Sequence, residues 1–197
     1  EMCIRDRYMW AGIGDTYAKY YEATISSRGE QLEHFASLGV ALSLMCRNPL
    51  LEYGPKAYED HKKKLSTYDV EQVVLAIVVT TGITSIFLTK DFTPDYNSGL
   101  AHAIFYALTS YPVIEKNHLH GEVVGFGVLL ALLVDGEETE FEKIYELNKK
   151  IHLPVSLEEI EITEEQWEES MNRIPEMSDV AHYPYKVTKE MLSLIHI

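Results

Sequence analysis

From Gly12 to the segment after Thr188 the apolar residues recur at helical spacing, and strand signals are nearly absent. That pattern leaves few architectures open, because a helix with one apolar stripe buries it against other helices. The chain therefore reads as an all-α helical bundle, without internal repeats or a low-complexity linker.

The first helix is expected from Gly12 onward, with Asp15 as its N-cap and Ala18, Tyr21 and Ile25 following at roughly helical spacing. A second is expected over residues 29–47, stopped by Asn48-Pro49, and a third from there to the Lys62-Lys63-Lys64 run. Residues 66–69 cap a long apolar helix that ends at Leu88. Its β-branched residues favour a strand, but its length decides for a buried helix. Its apolar run, residues 73–88, is too short and too rich in Thr, Ser and Gly to span a bilayer comfortably. Thr93-Pro94-Asp95-Tyr96-Asn97 reads as a turn, followed by a helix over 98–109 that ends before Pro112. After a loop carrying Glu115 to His118, an apolar helix starts near His120 and is stopped by Asp135-Gly136. Helices over 139–151 and 163–173 follow, then an irregular stretch around Tyr183-Pro184 and a short final helix after Thr188.

With 197 residues, 46% of them hydrophobic and 24% charged, the chain suits one globular domain with a sizeable core. Its formal charge of −14 repels nucleic acid and anionic membrane, so polyanionic partners are not expected. Much of that charge lies between Gly136 and Glu169, where acids alternate with apolar residues as on solvated helix faces. Cys3 and Cys46 have no CxxC spacing and support neither a disulfide framework nor a zinc ribbon, which fits a reducing, cytoplasmic setting. No basic segment followed by an apolar one marks a secretory signal.

The two ends read differently from the rest. EMCIRDR, residues 1–7, and the closing residues 193–197 resemble translated sequencing-adapter read-through and are set aside from fold reasoning. The domain is then 8–192, and Cys3 and His196 carry no function.

Three residues have the composition of a divalent-metal site: Asp15, His102 and His120. One hard carboxylate and two borderline imidazoles suit zinc or ferrous iron and leave positions open for water or substrate. Spacing alone gives no local geometry to check, unlike two histidines on one face of a HExxH helix. Each residue also has a structural reading. Asp15 serves as an N-cap, and His102, inside GLAHAIFYAL, as a core histidine that needs a hydrogen-bond partner. His118 and His120 are two apart and point in nearly opposite directions on a helix, and local chemistry does not choose between them. His34, His61, His152 and His182 are taken as surface positions. Gly12-Ile13-Gly14 follows no strand and is not a nucleotide loop.

Three segments in order, AGIGDTYAKYYEA (11–23), GLAHAIFYALTSYP (99–112) and HLHGEVVGFGVLLAL (118–132), resemble the C-terminal half of the iron-containing alcohol dehydrogenase superfamily, its glycerol dehydrogenase branch in particular. The resemblance spans about residues 9–192, including the PYKVTKEML ending. It implies the C-terminal helical domain of a dehydroquinate synthase-like/iron-containing alcohol dehydrogenase fold. It further implies that Asp15, His102 and His120 bind one catalytic metal, zinc before iron, with His118 a neighbour. One departure stands out: the branch commonly carries AHAIHN, with a second His three residues after the first, where this chain has Phe105 and then Tyr106. The metal pocket is therefore more apolar, which speaks against glycerol itself.

The implied activity is NAD-dependent oxidation of a small alcohol, polyol or hydroxy acid by a homo-oligomer, with hydride passing to the nicotinamide. The family's N-terminal α/β domain and its glycine-rich NAD segment are not found in this sequence. Dehydroquinate synthase and glycerol-1-phosphate dehydrogenase chemistry are disfavoured, because their anionic substrates call for more basic residues near the motifs. The rival reading is a non-catalytic helical interaction domain in which the three side chains are scattered. A third is an inactive part of the enzyme.

Overall fold

The computed structural model describes residues 4–90, 93–94 and 96–193. Cys3, Asp95, His196 and residues 194–197 lie outside the described residues. The architecture is the expected all-α bundle. Its one strand feature among the described residues is a two-residue antiparallel pairing of β1 (Thr89–Lys90) with β2 (Thr93–Pro94).

Helix α1 (Ile4–Ser26) runs through the centre and packs most closely on α2 (His34–Lys62) and α7 (His120–Asp135). It starts eight residues before the expected Gly12, so Asp15 is not an N-cap but lies in mid-helix. The proline break also fails. Helix α2 continues through Pro49 and Pro55, because Cys46, Leu50, Ala57 and Tyr58 along it are fully or almost fully buried. Tertiary packing thus outweighs the roughly 3 kcal/mol that an interior proline costs a helix.

Thr67 caps α3 (Tyr68–Leu75), accepting a bond from the Val70 N–H. A π-helical turn over Ala76–Thr80 joins α3 to α4 (Thr81–Leu88). The inserted residue turns the apolar pattern, and Thr81 Oγ1 reaches both Ala76 O at 3.0 Å and Thr16 Oγ1 at 3.2 Å. The reading of a buried helix holds for one face, with Val73, Ala76, Thr84 and Leu88 enclosed. On the other face Val78, Val79, Ile83 and Ile86 are exposed, as are Phe35 and Met45 of α2, and Phe35 stacks on Phe87.

Helix α5 (Leu100–Leu108) and α7 form the most apolar layer, and a short α6 (Pro112–Asn117) occupies part of the stretch expected as a loop. Gly136, at φ +74°, ends α7 in the left-handed conformation that its lack of a side chain permits. Then α8 (Glu138–Ile151), α9 (Glu164–Met171) and the final α10 (Lys189–Ser193) close over the core. Ile13, Tyr17, Leu100, Ile104, Phe126 and Leu129 lie at its centre without solvent contact.

Candidate metal centre

Glycines set how closely the helices that carry the site approach one another. A Cβ on Gly14 would fall 2.1 Å from the Gly121 carbonyl oxygen, and one on Gly121 would fall 1.9 Å from Ala11 O. No side chain fits there, so α1 and α7 cross backbone to backbone. Gly12-Ile13-Gly14 is thus part of a helix-crossing motif. The crossing brings Asp15, one residue after Gly14, next to His120, one residue before Gly121. Gly127 does the same for α5, since its Cβ would meet Ala101 O at 2.7 Å.

The α7 N-terminus is held by its own sequence. Glu122 Oε2 accepts from the Leu119 N–H at 3.1 Å, satisfying a donor that the helix leaves free, and its negative charge suits that end of the helix. The His-Gly-Glu run therefore divides its labour between a site imidazole, a close backbone approach and a cap.

Asp15, His102 and His120 converge. Asp15 Oδ1 lies 3.5 Å from His102 Nε2 and 3.4 Å from His120 Nε2, and the two Nε2 atoms are 3.3 Å apart. Metal–ligand bonds of about 2.0–2.1 Å at tetrahedral angles place neighbouring ligand atoms about 3.3–3.4 Å apart. The triangle has that size. His102 is buried, while Asp15 and His120 are partly open, so one side of the triangle faces outward.

Glu22 supplies what the His102 side chain needs. Its Oε1 accepts from the His102 backbone N–H at 3.0 Å, and its Oε2 lies 2.6 Å from His102 Nδ1. The first bond caps the free N-terminus of α5; the second engages Nδ1 and fixes the ring so that Nε2 faces Asp15. Glu22 is 1% exposed. Burial works against protonation of His102, but the Glu22 charge and the hydrogen bonds to Asp15 and Glu22 carry it up to about 9. Burial likewise opposes ionisation of Asp15, yet hydrogen bonds from His102 and His120 hold its carboxyl well below the usual range. The two shifts are reciprocal: the carboxylates of Glu22 and Asp15 favour positive charge on His102, and the imidazoles and Lys19 favour negative charge on Asp15. The donor set, its spacing and its electrostatics all fit a divalent cation.

Sequence reasoning missed Glu22 and Lys19. The available signal was a polar stripe on an otherwise apolar helix: Asp15, Lys19 and Glu22 stand at i, i+4 and i+7, on one face. Lys19 is buried and donates to Asn97 O at 2.7 Å. Beside His102 it lines a cavity of about 280 Å³ together with Ser98, Tyr106, Ser178 and Asp179. Phe105 packs edge-on against His120, with ring centroids 4.4 Å apart, and forms an apolar wall.

His118 is not part of the triangle. Its Nδ1 lies 3.0 Å from Glu122 Oε2 and its Nε2 3.2 Å from Glu161 Oε2, on the far side of Glu122. There it borders a larger cleft of about 520 Å³ near Arg7, Trp10 and Lys149, which contains none of the three triangle residues. His34 and His152 are exposed, as expected, and His61 and His182 are half-buried.

No family model matches the chain. It is 32% identical over 157 residues to hydroxycarboxylate dehydrogenase A of Escherichia coli (strain K12), covering 79% of this chain and 42% of that protein. It is 33% identical over 164 residues to the glycerol dehydrogenase of Thermotoga maritima, covering 78% and 41% respectively. The crystal structure of glycerol dehydrogenase from Schizosaccharomyces pombe superposes with a TM-score of 0.79 at 23% identity, over 95% of this chain and 49% of that one; this likeness bears on the fold. The chain thus spans about two-fifths of the length of the curated relatives it matches. Together with the three motifs and the helical architecture, these likenesses bear out the resemblance to the glycerol dehydrogenase-like branch of the iron-containing alcohol dehydrogenase superfamily and are consistent with its helical C-terminal part.

Proposed function

We propose that this chain is the metal-binding half of an NAD-dependent oxidoreductase that oxidises a small alcohol, polyol or hydroxy acid. The observation that carries the reading is the convergence of one carboxylate oxygen and two imidazole nitrogens from three helices. A non-catalytic interaction domain gives no reason for that meeting.

Asp15, His102 and His120 would hold zinc, with ferrous iron as the second choice for the same donors. A Lewis acid held there supplies polarisation of a substrate hydroxyl, easing loss of its proton. The chain's own residues do the rest. Glu22 keeps the His102 Nδ1–H engaged so that Nε2 stays a lone-pair donor. Phe105 removes water from one flank of the site, and the cavity beside His102 accommodates a short substrate. NAD would bind through the family's N-terminal domain, so the activity belongs to the longer parent, read here as a cytoplasmic homo-oligomer. The names of the relatives, a hydroxycarboxylate dehydrogenase and glycerol dehydrogenases, fit this substrate range.

The test is an assay of the full-length parent, following nicotinamide reduction with lactate, glycerol and simple diols as substrates, before and after chelation. Reduction that is lost on chelation and restored by zinc or iron supports the proposal. Turnover that ignores chelation, or no turnover with any such substrate, overturns it.

A further inference from the structure

Lys19 is a cation with an unfilled binding capacity at the edge of the candidate metal centre. It is 5% exposed, and an ammonium offers three donors. Among the described residues it makes one hydrogen bond, to the Asn97 carbonyl oxygen, and has no carboxylate within ion-pair reach. Beyond the longer-range pull of the Asp15 carboxylate, that buried charge is held by one neutral acceptor, so a further anionic partner would be favoured. Its head lines the same cavity as His102.

The other groups around that cavity leave this role to Lys19. Asp179 lies on the same wall, but its two oxygens already accept from Ser98 Oγ at 2.5 Å and Ser178 Oγ at 3.5 Å. Asp15 is directed at the two imidazoles. Lys19 follows Asp15 by one helical turn, which puts their Cβ atoms about 5–6 Å apart. A short molecule could therefore bring its hydroxyl to the metal triangle and a carboxylate to Lys19.

We propose that Lys19 is the carboxylate-recognising residue of this site and that the substrate class is a small monoanionic 2-hydroxy acid, in preference to a neutral polyol. This rests on the metal-centre reading above. A single buried cation matches one carboxylate, in keeping with the shortage of basic residues that disfavours polyanionic substrates.

The experiment is calorimetric titration of the zinc-loaded full chain with glycolate and with ethylene glycol, on wild type and Lys19→Met. Zinc content and melting temperature are measured for both proteins. Wild type should bind glycolate at least about tenfold more tightly than the diol, and Lys19→Met should lose about tenfold in glycolate affinity while its diol affinity stays level. Direct contact of the acid with zinc remains in both proteins, so the difference isolates Lys19. Should Lys19→Met fail to fold, Lys19→Gln, which keeps a donor for the Asn97 carbonyl oxygen and removes the charge, takes its place. Equal binding of acid and diol, or a glycolate affinity unchanged in the variant, overturns the assignment and leaves the metal centre standing. Absence of zinc from the wild-type protein overturns the metal reading and this one together.

Discussion

Glu22 shows how one buried carboxylate serves both fold and site, because its two oxygens divide between the α5 N-terminus and the His102 ring. Replacing it by Gln leaves an amide that cannot accept from both N–H groups at once. We expect Glu22→Gln to weaken zinc binding about 10- to 100-fold, as loss of a partner to a ligating histidine does elsewhere. Competition titration against a chromophoric chelator measures this. His118→Ala should leave the zinc affinity unchanged, since that ring faces Glu122 and Glu161. The three triangle residues have the types of a metal site, but residue type alone left His118 and His120 open, and it was the family resemblance that chose His120. Lys19 and Glu22 were not legible, since each alone is an ordinary helix residue and only their register with Asp15 sets them apart.

At the scale of elements, the backbone contact between α1 and α7 decides whether Asp15 and His120 meet. A single methyl at Gly121 would overlap the Ala11 carbonyl, so the helices must separate. Gly121→Ala should destabilise the fold by about 1–3 kcal/mol, and more if the crossing cannot shift. It should also abolish stoichiometric zinc binding in the protein that remains folded. Urea denaturation and metal analysis of the folded fraction check both. Helix type and order were largely readable from apolar periodicity, including the stop at Gly136 and the cap at Thr67. The proline-containing length of α2 was not, because burial of Leu50, Ala57 and Tyr58 is a tertiary fact that local propensity does not contain. Nor could the stretch before Gly12 be read as helix from its own pattern, although α1 begins at Ile4.

For the whole molecule, one ionic knot ties three helices. Glu140 of α8 accepts from Tyr21 of α1 at 2.8 Å and from Arg47 Nε of α2 at 3.0 Å, with Lys143 completing the cluster at 2.6 Å. Burial opposes ionisation of Glu140, but the bonds from Lys143, Tyr21 and Arg47 outweigh it and bring the carboxyl to about 2, from an ordinary 4.5. A depressed carboxyl stabilises the folded state fully above its unfolded pKa and loses that contribution as pH falls through the folded value. Between pH 4.5 and about 2, the native state should therefore lose about 1–2 kcal/mol from this group, after discounting for solvent screening. Acid titration of the urea midpoint for wild type and Glu140→Gln reads it: the variant should show a shallower fall over that interval. Elsewhere Val78, Ile83 and Ile86 stand exposed, as do Phe35 and Met45 of α2, with Phe35 stacked on Phe87 of α4. That face was not foreseen, because periodicity shows that a helix is apolar without showing which of its residues find a neighbour.

The central claim is that Asp15, His102 and His120 hold one metal ion, and elemental analysis of the purified chain beside the triple variant Asp15→Asn, His102→Ala, His120→Ala tests it most directly. The account predicts close to one zinc or iron per chain in the wild type and none in the variant. Negligible metal in both proteins, or equal metal in both, would contradict it.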